Sequence, residues 1–233
     1  MEFSELIKGL QERPGIYIGK KDYFTLHDYG MFINGYLTDR EGKFEHFFLR
    51  RFPVFVRNML GAELSEFEFW FDTIYRNCSN EEEAQKMFFD CFDRFRSIYS
   101  FVPKDKFDTS GVEHLMVLED KEFDVIAPLL LEWIQDINWP VADHMIKVLA
   151  VHQDVTEKYI RRILSSDQSD DEWKTNTIRF LLPSFTHDFN EDLTLGMIER
   201  IAVKPTDGER REEADEAARD YLERIQGANG MRS

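Results

Sequence analysis

Trp133-Ile134-Gln135-Asp136-Ile137-Asn138-Trp139-Pro140-Val141-Ala142 decides the fold of this chain. The stretch reads as the end of one amphipathic helix, a very short corner, and a second helix opened by proline. Proline is tolerated in a first helical turn, where its missing N–H would be unpaired anyway. The residue before it is pushed out of the α region, which ends the first helix. Two helices joined so tightly pack antiparallel, and that pair is the unit of a helical-repeat protein. Such proteins work mainly as binding surfaces.

Outward from the corner, the second half is regular. Phe123 to Ile137 form one helix and Pro140 to Val151 the next. Asp154 to Leu164 form a third, and Ser165-Ser166-Asp167-Gln168-Ser169 separates it from a fourth over residues 170–182, stopped by Pro183. Asn190 to Val203 and Glu209 to Ile225 make a last pair, joined by Lys204-Pro205-Thr206-Asp207-Gly208. A spacing of roughly 30–40 residues per pair is that of a HEAT-like stack of about three antiparallel helix pairs. Residues 227–233 read as a flexible tail.

The first half is helical but less repetitive. Phe3, Leu6, Ile7 and Leu10 have helical spacing. Arg13-Pro14-Gly15 reads as a turn, followed by a short extended piece Ile16-Tyr17-Ile18-Gly19 whose isoleucines pin it to the core. Further helices are expected over 22–37 and from Phe52-Pro53 to Gly61. The run Phe67-Glu68-Phe69-Trp70-Phe71 alternates like a strand. Extended to Ile74 and Tyr75, it fits i, i+3, i+4, i+7, i+8, so helix is preferred. Ser79-Asn80 followed by Glu81, Glu82 and Glu83 is a helix start, with a capping side chain and acids in the positive first turn. That helix runs to Tyr99 and buries Ala84, Met87, Phe88, Cys91, Phe92 and Phe95. The expected organisation is therefore all-α: a helical domain over 1–100, a HEAT-like domain over 101–226, and the tail.

Composition bounds the function. The 233 residues are 42% hydrophobic and include 21 Phe, enough for a substantial core. The net charge of −16 disfavours nucleic acid as a partner and favours a basic one through long-range steering. Solubility alone explains such a charge equally well. Two cysteines, Cys78 and Cys91, indicate no disulfide framework and a reducing compartment. No segment reads as a signal peptide or membrane span, so the cytoplasm is the expected location.

No residue pattern demands chemistry or a cofactor. His27, His46, His114, His144, His152 and His187 are scattered, without the paired spacing of a metal site. Each is expected to be structural or solvated. Cys91 lies at core spacing among phenylalanines, where a thiolate is disfavoured. Trp133 and Trp139 invite a ligand-cage reading, but packing at a helical corner is the commoner fate of such rings. No catalytic, cofactor-binding or metal-binding residues are assigned.

Several stretches carry resemblances. Val102-Pro103-Lys104-Asp105-Lys106-Phe107-Asp108, the corner from Leu130 to Ala142, Asp171-Glu172-Trp173-Lys174, and Ile201 to Glu209 together resemble a bacterial domain-of-unknown-function family of compact, HEAT-like helical domains. Arg13-Pro14-Gly15-Ile16-Tyr17-Ile18-Gly19 is similar to the opening of a group of small bacterial proteins. It also resembles a segment of gyrase-type ATPases, but the acidic and Asp-x-Gly-x-Gly elements of that site do not follow it here. Asp207-Gly208 lies in a distant turn. Proteins of both bacterial kinds resemble immunity components of polymorphic or contact-dependent toxin systems. The resemblance implies a cytoplasmic antidote to a cognate toxin, which is expected to be basic.

Acids near helix starts and repeat corners are the candidate contacts: Asp136, Asp143, Asp167, Asp170, Asp171 and Glu172, with Glu81, Glu82 and Glu83 as a second patch. For each, a solvated or capping role competes with partner binding. The alternative functions are a helical scaffold or adaptor and a small-molecule or nucleotide-binding enzyme.

Overall fold

The helical spacing of the apolar residues becomes α-helix along most of the chain. A computed structural model describes residues 2–19, 23–38, 40, 42–62, 69–165, 170–186 and 192–230, and among these there is no strand. The chain divides into two compact units, Met1–Tyr99 and Ser100–Ser233.

The first unit holds six helices among its described residues: α1 (Phe3–Glu12), α2 (Pro14–Ile18), α3 (Leu26–Leu37), α4 (Lys43–Leu60), α5 (Trp70–Arg76) and α6 (Glu81–Tyr99). Phe3, Leu6, Ile7 and Leu10 are buried, as their spacing predicts. The Arg13–Gly19 segment differs from its sequence reading. Pro14 opens a short helix, and Gly19 closes it in the left-handed region at φ 73°, which glycine adopts without strain. Ile16 is 71% exposed and pins nothing. Tyr17 packs instead, over Gly9 and edge-on to Phe32.

α4 begins well before Pro53, which lies inside it. Burial of Phe47, Phe48, Phe52, Phe55 and Val56 outweighs the one hydrogen bond that proline removes. The ambiguous aromatic run is helical from Trp70. Its Phe67 lies outside the described residues, and Tyr75 points outward. α6 starts where its acids predict: Asn80 Oδ1 accepts from the Glu83 N–H at 2.9 Å, and Glu83 accepts from the Ser79 N–H at 2.7 Å. Met87 is only half-buried, the rest of the expected core face fully so.

The second unit contains α7 (Val112–Leu115), α8 (Asp120–Leu131), α9 (Ala142–Val151), α10 (Gln153–Leu164), α11 (Asp171–Asn176), α12 (Asp192–Val203), α13 (Asp207–Arg211) and α14 (Ala214–Gly230). α8 packs on α9 and α10, α10 on α12, and α12 on α14. Alternate helices of the unit, α8, α10, α12 and α14, thus lie against one another in succession. Three details depart from the sequence reading. The last long helix is two helices, broken where Glu213 takes φ 59°. α14 continues to Gly230, through residues expected to be tail. The helix expected to end at Pro183 changes pitch first, from α11 to a π-helical turn over Thr177–Leu181 and a 3-10 turn over Leu182–Ser184.

The Trp139-Pro140 corner is longer than expected. α8 passes into a 3-10 turn over Glu132–Ile134, and α9 starts only at Ala142. Pro140 is an exposed turn residue ahead of the helix. Asp136 shapes the turn by accepting from the Asn138 N–H at 2.9 Å. The Val141 N–H donates to the Lys106 carbonyl at 3.1 Å, which ties the corner to the segment before α7. Trp133 and Trp139 meet edge to face at 5.6 Å, both half-buried.

Candidate functional site

The structure gives most of the candidate acids an internal bond. Asp170 caps α11 by accepting from the Trp173 N–H at 2.9 Å. Asp136 holds the corner turn. Glu81 accepts from the Leu26 N–H at the start of α3 and from Gln85. Glu83 closes the α6 start. Asp143 is exposed and paired with Lys147 at 2.8 Å, and this bond holds its carboxyl below the usual range. Glu82 and Glu172 are exposed. Asp167 lies outside the described residues. Each of these bonds lies within the acid's own unit. Glu81 and Glu82 do share a shallow depression with Tyr23, Phe24, Asn80 and Gln85.

Asp171 belongs to a different arrangement, absent from any single stretch of sequence. Lys174, one turn along α11, is fully buried and donates to Asp171 Oδ1 at 2.7 Å and to Glu209 Oε1 at 2.9 Å. Glu209, also fully buried, accepts from Arg200 Nη1 and Nη2, at 2.5 and 2.8 Å. A capping box adds the Thr206 N–H to Glu209 Oε2 at 2.8 Å, and the Glu209 N–H returns to Thr206 Oγ1 at 3.1 Å. Arg200 also reaches the Leu164 carbonyl at 3.2 Å. Burial pushes the Glu209 carboxyl up, but Arg200, the Thr206 amide and Lys174 outweigh it and hold it at about 2. Asp207-Gly208 fits the same place. A Cβ on Gly208 would lie 1.9 Å from Asp171 Oδ2, so a side chain there would make the Asp171 carboxylate shift.

Two carboxylates here balance two cations. The fully buried Glu209 carboxylate accepts four hydrogen bonds, so it has neither the access nor the free lone pair of a general base. The cluster is a clasp joining α11, α12 and α13. Sequence reasoning passed over Lys174, Arg200 and Glu209. The available signal was that the Asp171–Lys174 and Ile201–Glu209 stretches both carry the family resemblance, and the structure brings them together.

Among the histidines, His152 is structural, one of the two fates expected of each. It is buried between α7, α8 and the α9–α10 corner. Burial raises the Cys91 thiol to about 12, with help from Asp90, which leaves it an unreactive core residue. Among the described residues no group of His, Cys, Asp and Glu is arranged to hold a metal, and no helix is long and apolar enough to cross a membrane.

No curated protein matches the chain. Residues 101–222, just over half of its length, match the family described as a domain of unknown function, DUF5071; the chain belongs to that family.

Proposed function

We propose that this chain is a non-enzymatic, cytoplasmic immunity protein that binds and neutralises a basic bacterial toxin. The observation that carries the reading is where the acid excess sits. The net charge is −16, yet among the described residues the buried acids are Glu122, Glu157 and Glu209. Glu209 is matched by buried Lys174 and by Arg200, and most of the described acids are at least partly exposed, so the bulk of the acid excess lies where a partner can meet it. Such a surface steers a basic domain into encounter and can mimic a nucleic-acid substrate. Glu82, Asp143 and Glu172 are the candidate contacts that point outward. Resemblance to immunity components supports the same reading.

The test is co-expression with the product of the neighbouring gene. The expected result is a toxic neighbour whose growth arrest this chain relieves, with relief weakened when Glu82, Asp143 and Glu172 are changed together to Lys. A harmless neighbour, or arrest that persists with the chain present, removes the proposal. A pull-down that returns many partners in place of one tight neighbour favours the scaffold function.

A further inference from the structure

Trp133 and Trp139 are only half-buried at the corner between α8 and α9. Their rings meet edge to face, which leaves ring face uncovered by the partner ring. Among the described residues no cation stands over either ring, and no group accepts from either indole N–H. The buried indole N–H groups without a partner are those of Trp70 and Trp173; those of Trp133 and Trp139 reach water. The bond from the Val141 N–H to the Lys106 carbonyl sets the Lys106–Phe107 peptide against the Pro140–Val141 peptide. Phe107, 69% exposed, and exposed Pro140 therefore extend the same surface. The Lys106 ammonium lies 5.5 Å from the Phe107 ring centroid, so this surface already takes one cation on a ring.

The charge along the corner has one sign. Residues 132–143 contain Glu132, Asp136 and Asp143 and no lysine or arginine. Residues 100–233 hold 28 acids against 16 lysines and arginines, which is most of the chain's acid excess. Asp143 is shared with Lys147. Asp136 stands at the other end of a turn from Trp139, whose N–H donates to its carbonyl at 3.2 Å. Asp136 Oδ1 takes both bonds from Asn138, and Oδ2 is left for an incoming donor.

We propose that this corner holds an arginine-bearing segment of a basic partner protein. The guanidinium lies on an indole face and against Asp136, and carbonyls of the segment accept from the indole N–H groups. The inference rests on the immunity reading for the partner's identity alone. Arginine fits better than lysine because its planar guanidinium stacks on a ring and donates to a carboxylate at once. Trp and Arg are also the residue types enriched among those that carry binding energy at protein interfaces.

The test titrates acetyl-tetra-arginine amide into the full chain and follows the four indole N–H signals by NMR. The Trp133 and Trp139 signals are expected to move, while those of Trp70 and Trp173 stay. Acetyl-tetra-lysine amide should bind about threefold more weakly. Trp133→Leu, read at Trp139, and Trp139→Leu, read at Trp133, should each weaken binding about three- to fivefold. Asp136→Asn keeps an acceptor for the Asn138 N–H, so the turn survives, and loss of the charge should weaken binding about threefold. Trp133 and Trp139 signals that stay put, tetra-lysine binding as tight as tetra-arginine, or variants that bind like the natural chain would overturn the proposal. Co-expression decides the other reading separately: a chain that binds the peptide here yet fails to relieve a toxic neighbour loses the immunity function and keeps this site.

Discussion

In the Met1–Tyr99 unit, the ring of Phe52 is surrounded by those of Phe48, Phe55, Trp70, Phe88 and Phe95, with the Phe48 stack as close as 4.4 Å. In the Ser100–Ser233 unit, the equally buried Glu209 is surrounded by Lys174, Arg200 and the cap of α13. The first arrangement gains from area removed from water and from many weak ring contacts, so it tolerates small shifts. The second gains only if every partner is in place, because an unpaired buried charge costs several kcal/mol. One unit is glued and the other is clasped, and the two should fail differently.

The largest expected effect is in the glued unit. Phe52→Ala removes a ring in contact with five others and should cost about 3–5 kcal/mol. Hydrogen-exchange protection should fall in residues 1–99 and hold in the second unit; equal losses in both would break the comparison. Lys174→Met comes next, at about 3 kcal/mol. Met fills much of the same space, but Glu209 and Asp171 lose their shared cation, while Arg200 still holds Glu209. Its loss should map to residues 100–233.

Acid sharpens the same contrast. The Glu209 carboxyl is held at about 2 against an ordinary 4.5, so its contribution is present above 4.5 and lost as pH falls toward 2. Protection in the second unit should fall over that window, and Glu209→Gln should flatten the fall. The aromatic core of the first unit has no such step. Smallest is Pro140→Ala. With Pro140 exposed and outside the helix, the change should cost under about 1 kcal/mol. A loss of several kcal/mol in thermal or denaturant unfolding would show that the corner is a third fastening point.

The helices were legible because each is a local pattern. The apolar spacing in α1 and α6 and the acids after Asn80 all act within a few residues. Misreadings came where two local rules competed. Pro53 reads as a helix start and Pro14 as a turn, yet burial carries α4 through the first, and the second opens a short helix. Trp139-Pro140 reads as a tight corner because proline near a helix start is favourable; in the structure the Val141 N–H is bonded to the Lys106 carbonyl and α9 starts only at Ala142. The candidate acids were chosen for being near helix starts, and that is also where acids cap. Asp170, Asp136, Glu81 and Glu83 turned out to hold backbone or side-chain donors of their own unit, leaving Glu82, Asp143 and Glu172 facing outward.

By itself the sequence determined an all-helical, acidic chain with a family marker in its second half, because periodicity, caps and net charge are local or additive. Tertiary structure alone decided which charges are neutralised. Lys174 meets Glu209 across 35 residues, and His152 meets Leu115 across 37. No spacing rule reaches that far. Whether a charge ends in water or in a clasp depends on what another helix brings within 3 Å of it, and helix packing settles that.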